Sequence, residues 1–170
     1  SSSDRTADYV EWDGETVPFG EDLLFDAEPL PGCIIGAEIC EDLWSVAPPS
    51  GAMAVAGATL LLNLSASPET LGKHSYRRDL VASQSARCLA AYAYASAGPG
   101  ESSTDLVYSG HSLIAENGAV LAETKRFSFE TEMSMSDIDI DHLLSERHRN
   151  NTFSASKTDK PFRYVTIPLS

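Results

Sequence analysis

One cysteine in the chain lies where a reactive thiol is expected. Cys40 directly follows the short apolar run Gly32–Ile39 and directly precedes two acidic residues, Glu41 and Asp42. A turn at the end of a buried strand exposes the side chain at its apex and directs the next backbone N–H groups toward whatever is bonded to the sulfur. This position, with the aromatic Trp44 nearby, makes Cys40 a candidate nucleophile.

The other two cysteines support this interpretation by contrast. Free cysteine is often fully buried and then acts as a small hydrophobic residue. Cys33 lies inside the apolar run and Cys88 lies in an alanine-rich segment, so both are predicted to belong to the core. Three cysteines cannot all pair, and their contexts do not resemble a disulfide framework, which favours a reducing compartment.

The apolar pattern predicts the strands that would position Cys40. The run Gly32–Ile39 is too short for an independent helix and rich in isoleucine, which predicts a buried strand of a parallel sheet. Thr59–Leu64 is a second such run, and it follows a short helix that we expect Ser50 to cap. Strand, helix and strand in this order predict a parallel crossover. The hydroxyl-rich residues 65–68 would then lie beside Cys40, at an edge where ligands bind.

The rest of the chain continues this alternation and then changes to hairpins. Gly72–Leu89 is the longest helix candidate, and Leu89–Ala95 alternates like a third strand. Asn117-Gly118 between two apolar runs predicts a type I′ hairpin, and Asp13-Gly14 predicts another hairpin. Three later segments are a predicted strand, a short polar helix and a last strand: Met133–Ile140, Asp141–Arg149 and Phe162–Ile167. The fold class predicted is α/β, or layered α+β.

Composition excludes several classes of protein. The 170 residues can form one sizeable core, and 42% hydrophobic with 22% charged residues is typical of a globular protein. A formal net charge of -13 argues against binding to nucleic acid or to anionic membranes. No apolar run approaches membrane-spanning length and residues 1–9 are polar, so we expect a cytoplasmic protein.

The segment Glu38–Trp44, Glu-Ile-Cys-Glu-Asp-Leu-Trp, resembles the nucleophile segment of the nitrilase, or carbon-nitrogen hydrolase, superfamily. It is most similar to the glutaminase domains of glutamine-dependent NAD synthetases, where Glu-Ile-Cys-Glu-Asp is characteristic. Other branches more often have an aromatic residue directly after the cysteine. The resemblance covers most of the chain, in the correct order, through Asn63–Pro68, Gly72-Lys73, Arg87–Tyr92, Ser103–Leu106 and Glu116–Gly118.

This resemblance implies an activity and a set of site residues. Cys40 would attack the side-chain amide of glutamine, form a thioester and release ammonia, which the parent enzyme would use for NAD synthesis. The backbone N–H of Glu41 would help to hold the oxyanion. The side chains that match glutamine-binding positions are those of Glu41, Trp44, Ser67 and Lys73. Lys73 falls where an arginine is expected, which keeps the charge but loses the planar fork.

The chain departs from the family in its catalytic triad, which runs glutamate, lysine, cysteine. No lysine precedes Cys40, since the first is Lys73. None of the earlier glutamates lies in a recognisable base motif: Glu11, Glu15, Glu21, Glu28 and Glu38. We therefore expect residues 1–170 to be the carboxyl-terminal half of a glutaminase domain, with 150–170 as a trailing linker and terminal strand. Without its base and lysine, this fragment alone should be inactive.

The implied architecture is the family's four-layer αββα sandwich, incomplete at its N-terminal side. We expect no metal and no cofactor in this domain. ATP and Mg²⁺ would belong to a synthetase domain that is absent from the chain, because no glycine- and serine-rich phosphate loop appears. The parent enzyme would be a homo-oligomer. Apolar surface left open by the absent half should favour self-association.

Alternative functions remain open at this stage. The chain could belong to another carbon-nitrogen hydrolase of the superfamily, or serve as a non-catalytic oligomerisation or interaction module. A Cys-His dyad that uses His74 or His111 would imply a thiol hydrolase, although neither histidine has a supporting motif.

Two charged clusters near the C-terminus also have possible roles. The alternating Asp137, Asp139 and Asp141 resemble the start of a calcium loop but lack its glycine, so we expect a solvated strand face instead. The basic cluster Arg147–Arg149 is predicted to be a surface turn or a docking edge.

Overall fold

The structure is a computed structural model, and it describes residues 8–101 and 104–168. Residues 1–7 of the polar N-terminus and Ser103 of the Ser103–Leu106 motif lie outside these ranges. The described strands are β1 (Tyr9–Trp12), β2 (Glu15–Pro18), β3 (Leu23–Glu28), β4 (Ile34–Ile39), β5 (Leu60–Ser65), β6 (Ala91–Ser96), β7 (Leu113–Glu116), β8 (Ala119–Glu123) and β9 (Arg163–Pro168). The described helices are α1 (Pro49–Val55), α2 (Lys73–Cys88), α3 (Ile140–Arg149) and α4 (Asn151–Ser154).

Seven strands form one mixed sheet in the order β8-β7-β6-β5-β4-β3-β9, and β1 pairs with β2 in a separate hairpin. In the middle of the sheet, β4, β5 and β6 run parallel to one another, connected through α1 and α2. This confirms the predicted crossovers. Because parallel strands end at the same edge, the residues after β4 and β5 meet there. Ile39 is the register partner of Leu64, which places Cys40 beside Ser65.

Both predicted hairpins are present. Asn117 and Gly118 have φ angles of 43° and 92°, the left-handed pair that a type I′ turn between β7 and β8 requires. Asp13 and Gly14, with φ angles of 50° and 82°, form the corresponding turn between β1 and β2. Asn, Asp and Gly adopt these angles at little cost, which is why the turns could be predicted locally.

The helices α1 and α2 cover one face of the sheet and form the core with it. Buried side chains from both layers include Leu24, Leu61, Val81, Tyr92 and Leu113. Glycine in β4 lets α1 approach closely, since a Cβ at Gly36 would lie 2.9 Å from Met53 Sδ. None of the helices in the described ranges is long and apolar enough to cross a membrane.

The opposite face of the central strands is partly open. Ile39 and Leu64, on neighbouring strands, keep 57% and 60% of their surface exposed, and Ala37 is exposed as well. The prediction that Gly32–Ile39 is buried is therefore correct for one face of β4 only. The seven-stranded sheet, with α1 and α2 packed on one face, corresponds to two of the four layers that the resemblance implies.

The strand predicted at Met133–Ile140 is wrong. The described residues 131–139 form no strand, and Met133 and Met135 are each 78% exposed. Alternation alone does not make a strand where no sheet edge pairs with the segment. Asp139 does not lie on a strand face either, because its carboxylate accepts a 2.8 Å hydrogen bond from the His142 N–H and so caps α3.

Two further predictions are corrected. Ser50 does not cap α1, because Pro48 is the N-cap and the Ser50 hydroxyl instead accepts a 2.9 Å hydrogen bond from Gln84. Arg147 does not belong to an exposed basic cluster. It is 7% exposed, and its guanidinium donates to the carbonyls of Leu89 at 3.0 Å and Cys88 at 2.9 Å, fastening α3 to the end of α2. A cation is favourable at carbonyls that end a helix.

Candidate active site

Cys40 occupies a sharp turn between β4 and a 3-10 helix at Cys40–Trp44. Its φ angle of 50° lies in the left-handed region, which is uncommon for a residue with a side chain and often marks a functional site. Two hydrogen bonds hold the turn. The Ile39 N–H donates to the Asp42 carboxylate at 2.8 Å, and the Asn63 amide donates to the Cys40 carbonyl at 3.4 Å.

A cavity of about 400 Å³ lies beside this turn. All five residues that were predicted for the site line it: Cys40, Glu41, Trp44, Ser67 and Lys73. Three segments supply them, namely the turn after β4, the residues after β5 and the first residue of α2. The structure thus brings together residues that are distant in the sequence, since Cys40 and Lys73 are 33 positions apart.

Lys73 is the cationic group of this cavity. Its Nζ lies 5.2 Å from the centre of the Trp44 ring, a cation–π distance, and Trp44 contacts Tyr76 with ring centres 5.3 Å apart. Burial lowers the pKa of Lys73 and the nearby Arg77 adds to this effect, while the negative charges around Cys40 and Glu41 act in the opposite direction. Lys73 therefore interacts both with Cys40 and with the carboxylate of Glu41 in this cavity.

The three thiols differ as predicted. Cys33 and Cys88 are buried, with 7% and 3% of their surface exposed, whereas Cys40 is partly exposed. Burial raises the pKa of the Cys33 thiol and raises that of Cys88 to about 11. Neither of these two is suited to nucleophilic chemistry, because the thiolate is the reactive form.

The sequence analysis missed the polar groups that lie beneath the sulfur. The Ser65 hydroxyl lies 3.5 Å from Cys40 Sγ, and the Tyr94 hydroxyl donates to Ser65 at 2.7 Å. The sequence predicts a hydroxyl-rich end of β5, and the resemblance gives a role only to Ser67. The signal that could have found the others is strand register. Asn63 is opposite Tyr94, and Ser65 is two residues further along the same face.

Neither histidine proposed for a dyad lines the cavity beside Cys40. His74 and His111 pack against each other instead, with ring centres 4.4 Å apart and the ring planes tilted by 46°. His111 and Arg77 are both fully buried, and a guanidinium N–H of Arg77 donates to His111 Nδ1 at 3.2 Å. Arg77 also pairs with Glu69 at 3.1 Å. His111 therefore belongs to a buried polar network with Arg77 and Glu69, and the partly buried His74 packs against it.

His74, His111 and Glu123 place potential metal-binding atoms within 4.8 Å of one another. The hydrogen bonds of His111 and Glu123 argue against a metal site here. An arginine N–H can only donate, so Nδ1 of His111 is the acceptor and the proton lies on Nε2, where a metal would bind. Glu123 is in addition paired with Arg78 at 3.2 Å. His111 Nε2 lies 3.6 Å from an oxygen of this carboxylate, beyond hydrogen-bond distance.

Comparison with known proteins shows what the chain is similar to. Residues 11–145 match the family described as carbon-nitrogen hydrolase. A glutamine-dependent NAD(+) synthetase from Mycobacterium bovis is 53% identical over 144 residues, which cover 85% of this chain and 21% of that protein. The chain thus spans about a fifth of the length of the curated relatives it matches.

Solved structures show the same fold. The crystal structure of a glutamine-dependent NAD(+) synthetase from Cytophaga hutchinsonii is similar with a TM-score of 0.61 and 33% identity, covering 75% of this chain and 20% of that one. A member of branch 10 of the nitrilase superfamily from Saccharomyces cerevisiae has a TM-score of 0.58 at 21% identity, covering 69% of this chain and 42% of that one. The fold class predicted from the sequence, an α/β fold of the nitrilase type, is confirmed.

Proposed function

This chain belongs to the carbon-nitrogen hydrolase family, and on that premise we propose that Cys40 cleaves the side-chain amide of glutamine. The observation that carries the proposal is the convergence of Cys40, Glu41, Trp44, Ser67 and Lys73 on one cavity. Free glutamine has an ammonium and a carboxylate on its α-carbon. A cavity with one acidic and one basic side chain, Glu41 and Lys73, complements both charges.

The reaction proceeds by covalent catalysis. The Cys40 thiolate attacks the amide carbon, and the oxyanion that forms is held by the backbone N–H of Glu41. The carbon–nitrogen bond then breaks, and the nitrogen takes a proton and leaves as ammonia, so that a thioester to Cys40 remains. Water attacks the thioester carbon, which releases glutamate and returns the thiol. The turn at Cys40 supports this role because it presents the sulfur at the sheet edge.

Two groups needed for this chemistry are proposed to come from residues outside these 170. The family uses a glutamate base and a lysine, and no lysine precedes Cys40 in the chain. Lys73 borders the substrate cavity and packs on Trp44, which suits substrate binding. By itself the chain should therefore turn over glutamine negligibly.

The names of the relatives support a wider proposal for the longer protein. Proteins 53% and 48% identical to this chain are called glutamine-dependent NAD(+) synthetases. We propose that ammonia from this site is used for NAD synthesis in a synthetase domain outside the chain, and that ATP and Mg²⁺ bind there. A cytoplasmic homo-oligomer is the proposed state of that protein, and its unpaired cysteines suit a reducing compartment.

Competitive thiol labelling tests the substrate and the nucleophile together. The chain is first treated with a glutamine analogue that carries an electrophilic carbon in place of the amide, then with iodoacetamide, and each cysteine is quantified by peptide mass. Iodoacetamide alone should label Cys40 in preference to Cys33 and Cys88. The analogue should block Cys40, and L-glutamine, but not L-asparagine, should slow that block.

Matched lysine variants sharpen this experiment. Lys73→Met should weaken protection by glutamine several-fold, whereas Lys157→Met, at an exposed position away from the cavity, should leave it unchanged. Equal labelling of all three cysteines, or no labelling, would favour the non-catalytic module. Equal protection by asparagine would favour another carbon-nitrogen hydrolase.

A further inference from the structure

We propose that Ser65 stabilises the Cys40 thiolate by a direct hydrogen bond and that Tyr94 orients Ser65 for this task. The inference rests on the proposed role of Cys40 as a nucleophile and adds two residues to that site. Ser65 contacts the reacting atom, since its hydroxyl lies 3.5 Å from Sγ. Tyr94 acts through Ser65 and is a positioning residue.

Strand register places these three residues together. Ile39 pairs with Leu64, so the next residue of each strand end, Cys40 and Ser65, are neighbours across the sheet edge. Tyr94 on β6 is opposite the residue two positions before Ser65, and its hydroxyl reaches diagonally to it at 2.7 Å. Tyr94 is 2% exposed, which leaves its hydroxyl little access to water.

Tyr94, Ser65 and Cys40 form a row in which each hydrogen-bond donor points toward the sulfur. A tyrosine hydroxyl has one proton, and here it is donated to Ser65 Oγ. The single proton of Ser65 is then free for the sulfur, at a distance that suits the large radius of that atom. Hydrogen bonds in series polarise one another, and a hydrogen bond to the charged form of a group favours that form. The row Tyr94, Ser65, Cys40 is therefore arranged for a thiolate.

Charged groups surround this row on several elements. Lys73 on α2 interacts electrostatically with Cys40, with Glu41 in the turn and with Glu69 before α2. Behind the row, the guanidinium of Arg77 lies 6.0 Å from the centre of the Tyr94 ring. Ser65 is the neutral donor that is in direct contact with the sulfur, at 3.5 Å.

The test is the pH dependence of Cys40 alkylation by iodoacetamide in the 170-residue chain. Ser65→Ala should move the midpoint of the pH–rate profile upward by about half to one pH unit, which slows alkylation at neutral pH about three- to tenfold. Tyr94→Phe keeps the ring and should move the midpoint less, in the same direction. Ser65→Thr keeps a hydroxyl and should restore the wild-type profile.

Ser96→Ala is the matched control. Ser96 is the register partner of Ser65 on β6, and its hydroxyl has no hydrogen-bond partner in the described part of the chain. This variant should leave the midpoint unchanged. A merely structural role of Ser65 would lower thermal stability, or alter the limiting rate at high pH, without moving the midpoint. An unmoved midpoint in Ser65→Ala, or an equal shift in Ser96→Ala, would overturn the proposal.

The outcome is independent of the substrate assay, because no glutamine analogue is present. If glutamine fails to protect Cys40, the proposed function fails while the profile can still shift in Ser65→Ala. If protection is found but the profile does not move, only the role of Ser65 is refuted.

Discussion

A fall in pH from 7 to 5 should destabilise the folded chain through one residue, His111. Its imidazole is fully buried against Arg77 and His74, and burial lowers its pKa from 6.5 to about 4. The charges of His74 and Arg77 act in the same direction, and Glu123 in the opposite one. In the unfolded chain, histidine titrates near its ordinary value of about 6.5, so the unfolded state takes up a proton first.

The sign and size of the effect follow from this difference. Stability from His111 is complete above the unfolded pKa and is lost as the pH falls from about 6.5 toward 4, because only the unfolded state gains the proton in that interval. One pKa unit corresponds to about 1.36 kcal/mol, which predicts a loss of about 2 kcal/mol between pH 7 and pH 5. The pKa values of the Glu69 and Asp22 carboxyls are lowered, so their contribution to stability is lost only as the pH falls through the ordinary carboxyl range of about 4.

Urea unfolding at pH 7 and pH 5, followed by circular dichroism, measures this loss. His111→Asn places an amide oxygen where Nδ1 accepts from Arg77 and should remove most of the pH dependence. His142→Asn, which replaces an exposed histidine of α3, should retain it. A wild-type chain with equal stability at both pH values would refute the reasoning, and so would an undiminished pH dependence in His111→Asn.

Three other changes have predicted outcomes. Arg147→Met should cost at least about 3 kcal/mol in urea unfolding, because buried carbonyls lose their donor, while Arg149→Met at an exposed position should cost less than about 0.5 kcal/mol. Gly36→Ala should cost about 1–3 kcal/mol in the same assay, since the new Cβ meets Met53 Sδ at 2.9 Å. The chain should self-associate through its open sheet face, and Leu64→Lys should shift sedimentation toward monomer; a strictly monomeric wild type at high concentration would contradict this.

Features set by neighbouring residues were predictable from the sequence. The Asn117-Gly118 turn and the apolar runs of β4 and β5 depend on local backbone preferences and periodicity, and the structure confirms them. The strand predicted from the alternation of residues 133–140 is wrong, because a strand also requires a neighbouring strand with which to pair. The surface position predicted for Arg147 is wrong for a similar reason, since the buried carbonyls that accept its hydrogen bonds are about 60 to 90 residues away in the chain.

The residues of the site can likewise be divided into those that the sequence predicts and those that it does not. Cys40, Glu41 and Trp44 are contiguous, so their grouping at one turn follows from the sequence and the resemblance. Ser65 contacts the sulfur and Tyr94 contacts Ser65 only through the register of β4, β5 and β6, which sequence pattern does not specify. Such contacts depend on which strands are neighbours and on which residues face each other.

Ammonia release from glutamine tests the central claim most directly, that Cys40 is an amide-cleaving thiol completed by residues outside this chain. The measurement compares the proposed longer protein, its Cys40→Ala variant and the 170-residue chain under identical conditions. The account predicts turnover by the longer protein with Cys40 alone. A robust rate from the 170-residue chain, or an active Cys40→Ala variant, would contradict it.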